Sequence, residues 1–270
     1  MKIALAPALA LFGTAVLAPI AAQAVDVEPT RIEMKISEGQ PAEGELRLSN
    51  RGHKPVEIRL SAGPYRFLDP KLKLPSCQDW FHFEPDRLTL AAGASTSVRY
   101  TVTPPSNLDV DTAGEYLAAV LVDQLPAESE KTSEGTARLT VVPRIALATY
   151  LLVEGRDRIE VEMEKVTVSR SPNLLKMEVS LKNNGTVHVR PSGTIALFQE
   201  DNHRVRTVAL GKSMPLLPTA HMTIPCFLPM PPAGRYRLVS TVEVREGTVL
   251  QKETHFEITP EKNVKQEQNR

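Results

Sequence analysis

The sequence is poor in cysteine, in aromatic residues and in net charge, and each shortage removes a class of function. Aromatics make up 5% of the 270 residues and do not alternate with basic side chains, so no base-stacking platform exists. Lys plus Arg and Asp plus Glu number 32 each, which leaves no field to draw nucleic acid or an acidic surface. Nucleic acid is therefore not an expected partner. The histidines (His53, His82, His188, His203, His221, His255) have no His, Cys or carboxylate neighbour at metal-ligand spacing, and no metal or cofactor is expected. Ser95-Thr96-Ser97 lacks the glycines of a nucleophile elbow, neither cysteine has a nucleophile's context, and no acid–base pair stands out. The chain does not read as an enzyme. His82, within Trp80-Phe81-His82-Phe83, reads as a core or half-buried side chain sharing a face with Trp80.

What is present begins at the N-terminus. Met1-Lys2 precedes an apolar run from Ile3 to Ile20, broken by Pro7 and Pro19, and then Ala22-Gln23-Ala24. Small residues at the first and third positions of that triplet match a signal-peptidase site, so residues 1–24 read as a signal peptide and the mature chain starts at Val25. No cysteine near that point suits lipid attachment. No later run reaches the roughly 20 apolar residues of a spanning helix, so the mature chain is not expected to insert into a membrane. Export makes disulfides chemically accessible. Cys77 and Cys226 lie one in each half of the chain, either bridging the halves or sitting as two buried thiols.

The first half reads as short strands separated by turn residues: Val27–Ile36, Glu43–Leu48, Val56–Ala62, Trp80–Leu90, Ser95–Val102, Glu115–Val122 and Ala137–Val153. Glu45-Leu46-Arg47-Leu48 and Val56-Glu57-Ile58-Arg59-Leu60 have the period of two of a strand with one wet and one buried face. Asn50 to Pro55 is a turn in which Gly52 is free to take positive φ. Gly155-Arg156-Asp157-Arg158 marks a boundary. The pattern then repeats through Arg158–Val168, Lys176–Lys182, Thr194–Phe198, Val205–Leu210, Met222–Phe227, Gly234–Val244 and Thr248–Ile258. Asn183-Asn184-Gly185-Thr186 carries a hairpin signal. The expectation is all-β, two tandem immunoglobulin-like sandwiches over 25–155 and 156–260, with 261–270 a frayed, flexible tail.

The long alternating stretch from Thr136 to Val153 is the most suggestive. Pro143 in its middle has no N–H for a ladder, so the strand reads as a sheet edge. An apolar edge left uncovered invites pairing, which points to binding by strand addition. Ala137, Leu139 and Val141 share one face of it. They either insert into a partner or pack into the first domain's own core.

In order along the chain, several short motifs resemble the periplasmic pilus-assembly chaperones, the PapD-like family. These are Thr30-Arg31, Asn50 to Pro55, Phe83-Glu84-Pro85 with Leu88, Leu90, Gly93 and Val98-Arg99, and Arg144-Ile145-Ala146-Leu147. The resemblance covers roughly Val27 to Val153. It implies binding of an incomplete immunoglobulin-like pilin or surface-protein subunit in the periplasm, with the subunit's C-terminal carboxylate held by two basic residues in the cleft between domains. Arg31 matches the first of these; Ala146 stands at the second, where Arg144, two residues away, is a substitute. The implied subunit-binding residues are Arg31, Ala137, Leu139, Val141 and Arg144. A looser likeness to exported cell-surface proteins leaves a static scaffold or adhesion module as the alternative, one that Ala146 favours.

Overall fold

The computed structural model describes residues 25–65, 74–108, 114–125, 143–211, 214–245, 247–261 and 263–266. The first sandwich uses β1 (Val25–Glu28), β2 (Arg31–Ile36), β3 (Ala42–Asn50), β4 (Val56–Gly63), β5 (Phe81–Glu84), β6 (Arg87–Leu90), β7 (Ser95–Val102), β8 (Glu115–Leu125) and β9 (Arg144–Val153). The second uses β10 (Val161–Ser171), β11 (Leu174–Asn183), β12 (Ser192–Gln199), β13 (Arg204–Leu210), β14 (His221–Pro229), β15 (Gly234–Arg245), β16 (Thr248–Ile258) and β17 (Val264–Gln266). In the first, a sheet of order β1-β3-β7-β5 packs on one of order β2-β9-β8-β4-β6; in the second, β10-β11-β14 packs on β13-β12-β15-β16-β17. The protein is all-β, two tandem immunoglobulin-like sandwiches.

The alternating segments behave as their period requires. Leu46, Leu48, Ile58 and Leu60 enter the first core, while Glu45, Arg47 and Arg59 stay exposed. Burying each such leucine or isoleucine is worth about 1.5–3 kcal/mol.

Proline divides two segments that the period alone joins. Val27–Ile36 is two strands, β1 and β2, in different sheets, with Pro29 between them. Trp80–Leu90 is likewise β5 and β6, with Pro85 between, and Trp80 lies in a short 3-10 turn. A residue without an N–H ends one ladder and lets the chain cross to the other sheet. His82, expected in or near the core, is exposed: on β5 the inward side chain is Phe83.

The two Asn-Gly loops do one job in both sandwiches. Each carries the chain from one sheet to the other, from β3 to β4 and from β11 to β12, so Asn183–Thr186 is a crossover and not a hairpin. Neither Gly52 nor Gly185 has positive φ. The asparagine shapes the loop instead. Asn50 Oδ1 accepts the Gly52 N–H at 2.9 Å, and its Nδ2 donates to the carbonyls of Lys54, Leu90 and Ala91 at 2.8–3.1 Å. Asn183 Oδ1 accepts the Gly185 N–H at 2.8 Å, and its Nδ2 donates to Val187 and Leu216 carbonyls at 2.9 Å. Both asparagines are buried.

Two further expectations change, and of the two alternatives for the cysteines one holds. The stretch expected to fray contains β17, which pairs with Phe256–Ile258; Gln266 also accepts the Val168 N–H and donates to the Val166 carbonyl. The cysteines are free thiols, each buried in a different core, and no bridge joins the halves. Burial pushes both thiols up, away from the reactive thiolate. Finally, β9 is not an edge along its length. Residues 148–153 pair with β2 in parallel while β8 flanks the other side, and among the described residues the edge survives only at Arg144–Leu147. The apolar run Ala148–Val153 is long because it is internal to the sheet.

Candidate binding cleft

The sandwiches meet over the outer face of the β2-β9-β8 sheet. Parallel pairing sets Glu33 beside Tyr150, and antiparallel pairing sets Tyr150 beside Leu117. Leu117 and Tyr150 are buried under Leu217 of the second sandwich, with Ala220, Tyr65 and Leu152 packed around them. The Tyr65 and Tyr150 hydroxyls are 2.7 Å apart. Burial, then the bond to Tyr150, pushes the Tyr65 phenol well above its ordinary range.

Opposite lies the stretch that follows the Asn183 loop. Val189 enters the second core and Val187 is buried close to it in the chain, and the period of two turns His188 and Arg190 toward the first sandwich. His188 Nδ1 lies 2.6 Å from Glu115 Oε2, its Nε2 lies 3.7 Å from Glu33 Oε1, and its ring packs 4.1 Å from that of Tyr150. Arg190 reaches Glu33 Oε1 through Nη2 at 2.8 Å and Nε at 3.3 Å, with its guanidinium 5.3 Å from the Tyr150 ring centroid. Gly114 admits the close approach: a Cβ there would lie 2.5 Å from the Arg156 carbonyl oxygen and from Thr186 Oγ1.

Glu33 is the hub. Arg31, two residues away on β2 and half exposed, donates to the same Oε1 at 2.8 Å. Partial burial works to raise the Glu33 carboxyl. The Arg190 hydrogen bond and the charges of His188, Arg190 and Arg31 overcome it and hold the group below the usual carboxylate range. Burial likewise opposes the charge on Arg190, and Glu33 more than compensates. Glu115 is the contrast: fully buried, with Oε1 lacking any hydrogen-bond partner among the described residues.

Of the residues singled out in the sequence, Arg31 stands at this cleft and Arg144 does not. Arg144 lies at the far end of the same sheet face, where its Nε and Nη2 donate to Asp123 at 2.5 and 3.1 Å; Arg59 donates to the same carboxylate at 2.9 Å. The Arg144 hydrogen bond is the main reason the Asp123 carboxyl is held down. Ala137, Leu139 and Val141 lie outside the described residues. Glu33, Tyr65, Glu115, Tyr150, His188 and Arg190 escaped the sequence reading; the only local trace is alternation, Arg31-x-Glu33 and His188-x-Arg190. Among the described residues no group of three metal-ligating side chains occurs.

Neither a scan of protein-family models nor a search of curated proteins finds a match to this chain. Similar solved structures include a chain of the Salmonella enterica SafA pilin complex with the SafB chaperone, with 15% identity and a TM-score of 0.41 over 86% of this chain and 96% of that one. The E. coli chaperone DraB has 15% identity and a TM-score of 0.43, over 86% of this chain and 97% of its own. A chain of the CsuC–CsuE chaperone–tip adhesion subunit complex of Acinetobacter baumannii has 16% identity and a TM-score of 0.43, over 85% and 97%.

Proposed function

We propose that this chain is a periplasmic chaperone-like protein that binds an incomplete immunoglobulin-like pilin or surface-protein subunit by strand addition, without a cofactor. One observation carries the reading: along Arg144–Leu147, β9 is paired with β8 on one side and with no strand among the described residues on the other. An unpaired edge in the middle of a chain is a template for a partner strand. The ordered PapD-like motifs and the signal-peptide pattern of residues 1–24 support the same role and compartment. Ala146, where that family has a basic residue, favours the alternative of a static surface scaffold.

The upstream residues Ala137, Leu139 and Val141 extend this edge in the proposal and enter the subunit's open groove. Leu139→Glu and Val141→Glu test it, each measured by thermal unfolding and by pull-down of envelope proteins. A charge placed in an apolar groove costs several kcal/mol. Lost binding with an unchanged melting temperature is the expected result. Loss of both places these side chains in the protein's own core, and full binding by a stable variant removes the stretch from the mechanism.

A further inference from the structure

Arg31 and Arg190 come from different sandwiches, yet both guanidinium groups converge on one oxygen, Glu33 Oε1, at 2.8 Å each. Two guanidinium groups focused on a single carboxylate form a strong carboxylate-binding arrangement, since each bond is charge-assisted. The site is open rather than sealed: the side chains of Arg31, Glu33 and Arg190 are 53, 35 and 32% exposed. An incoming carboxylate therefore reaches the arginines without unfolding either sandwich. Tyr150 backs the Arg190 guanidinium and fixes its direction. No side chain of β9 offers a second cation here, because Ala146 has none and Arg144 is held by Asp123.

We infer that Glu33 is an internal stand-in for a ligand carboxylate: it occupies the Arg31–Arg190 pair in the free chain, a partner's carboxylate displaces it, and Arg190 of the second sandwich is the second cation of the site. The inference rests on the strand-addition reading and adds a control to it. A subunit strand along β9 must bring a carboxylate to the cleft to win the two arginines from Glu33. A strand that brings none pairs with the edge alone, so self-occupancy discriminates between them. The carboxylate comes from a chain terminus or from an acidic side chain, and the chemistry is common to both.

The test uses the full mature chain and three synthetic peptides of alternating valine and threonine. One ends in a free carboxylate, the second is its amide, and the third is the amide with glutamate as its last residue. Affinities are read by fluorescence anisotropy for the natural chain, Glu33→Gln, and Glu33→Gln with Arg190→Gln. The expected result is about tenfold tighter binding of a carboxylate peptide by Glu33→Gln, no change for the plain amide, and loss of the gain in the double variant. Which carboxylate peptide gains distinguishes terminus from side chain. Equal affinity of all peptides for every variant overturns the inference and leaves strand addition standing. Gain that survives Arg190→Gln overturns the role of Arg190, and absence of binding to any variant overturns both readings. If Glu33→Gln melts early, Glu33→Asp, whose carboxylate sits one methylene further from both guanidinium groups, gives the same comparison.

Discussion

Strands β8 and β15 hold equivalent places, each the middle strand of a five-stranded sheet, yet only one of them shows water a face. β15 alternates: Tyr236, Leu238, Ser240, Val242 and Val244 are buried, and Arg235, Arg237, Val239, Thr241 and Glu243 are not. β8 is buried at nearly every position from Glu115 to Gln124. Its sequence says the same, since Leu117-Ala118-Ala119-Val120-Leu121-Val122 is a continuous apolar run of the kind that fills strands covered on both faces. The second cover is the other sandwich, brought over Leu117 and Tyr150 by Leu217 and Ala220. The cleft is thus made from a sheet face that an isolated sandwich would expose, and the polar groups at its mouth are the rim of an interface.

A matched pair of substitutions breaks or sharpens this contrast with the largest effect. Leu117→Glu places a charge on the covered face of β8 and should cost about 3–5 kcal/mol. Val239→Glu places the same charge on the open face of β15 and should cost less than about 1 kcal/mol. Denaturant titrations measure both, and equal costs would show that the two sheets are not differently covered. The asparagine loops supply the complementary case, where the sandwiches are alike. Asn50→Ala and Asn183→Ala each strand buried carbonyls and should cost about 2–3 kcal/mol. Values far apart would mean that the two loops share a geometry but not a load.

Acid gives the smallest contrast. The Glu33 and Asp123 carboxyls are held below their ordinary range, so the unfolded chain binds more protons than the folded one as pH falls past about 4. The stability they add is present above that value and is lost as pH drops through the lowered folded values. Both belong to the first sandwich, whose melting temperature should fall more than the second's between pH 5 and pH 3, modestly because solvent screens the partly exposed arginines. Glu261, also held low, is exposed near the chain end and has little to lose. A larger acid loss in the second sandwich would contradict this assignment.

Much of the architecture was legible. Period-two segments such as Glu45–Leu48 and Val56–Leu60 became strands on the faces their side chains demanded, and the Asn50 and Asn183 loops fell where turn chemistry put them. The misreadings have physical causes. Pro29 and Pro85 do not shorten an alternating pattern, so the change of sheet at each is invisible to periodicity. Pro143 suggested an edge, but Ile32 and its neighbours on β2 pair with the later half of β9, a parallel contact fixed by the fold and not by adjacent residues. The cleft was least legible because its partners are remote: Glu33 and Arg190 are 157 residues apart. Arg31 was found through its neighbours in the chain, while its working partner lies in the other sandwich.

The most direct test of the account is amide hydrogen exchange across Arg144–Leu147. The free protein, residues 25–270, is to be compared with the same protein co-purified with a bound envelope subunit. Strand addition predicts strong new protection of the amides on the open side of this stretch, with residues 148–153, already paired on both sides, unchanged. Unaltered exchange at Arg144–Leu147 in a complex of verified stoichiometry would contradict it.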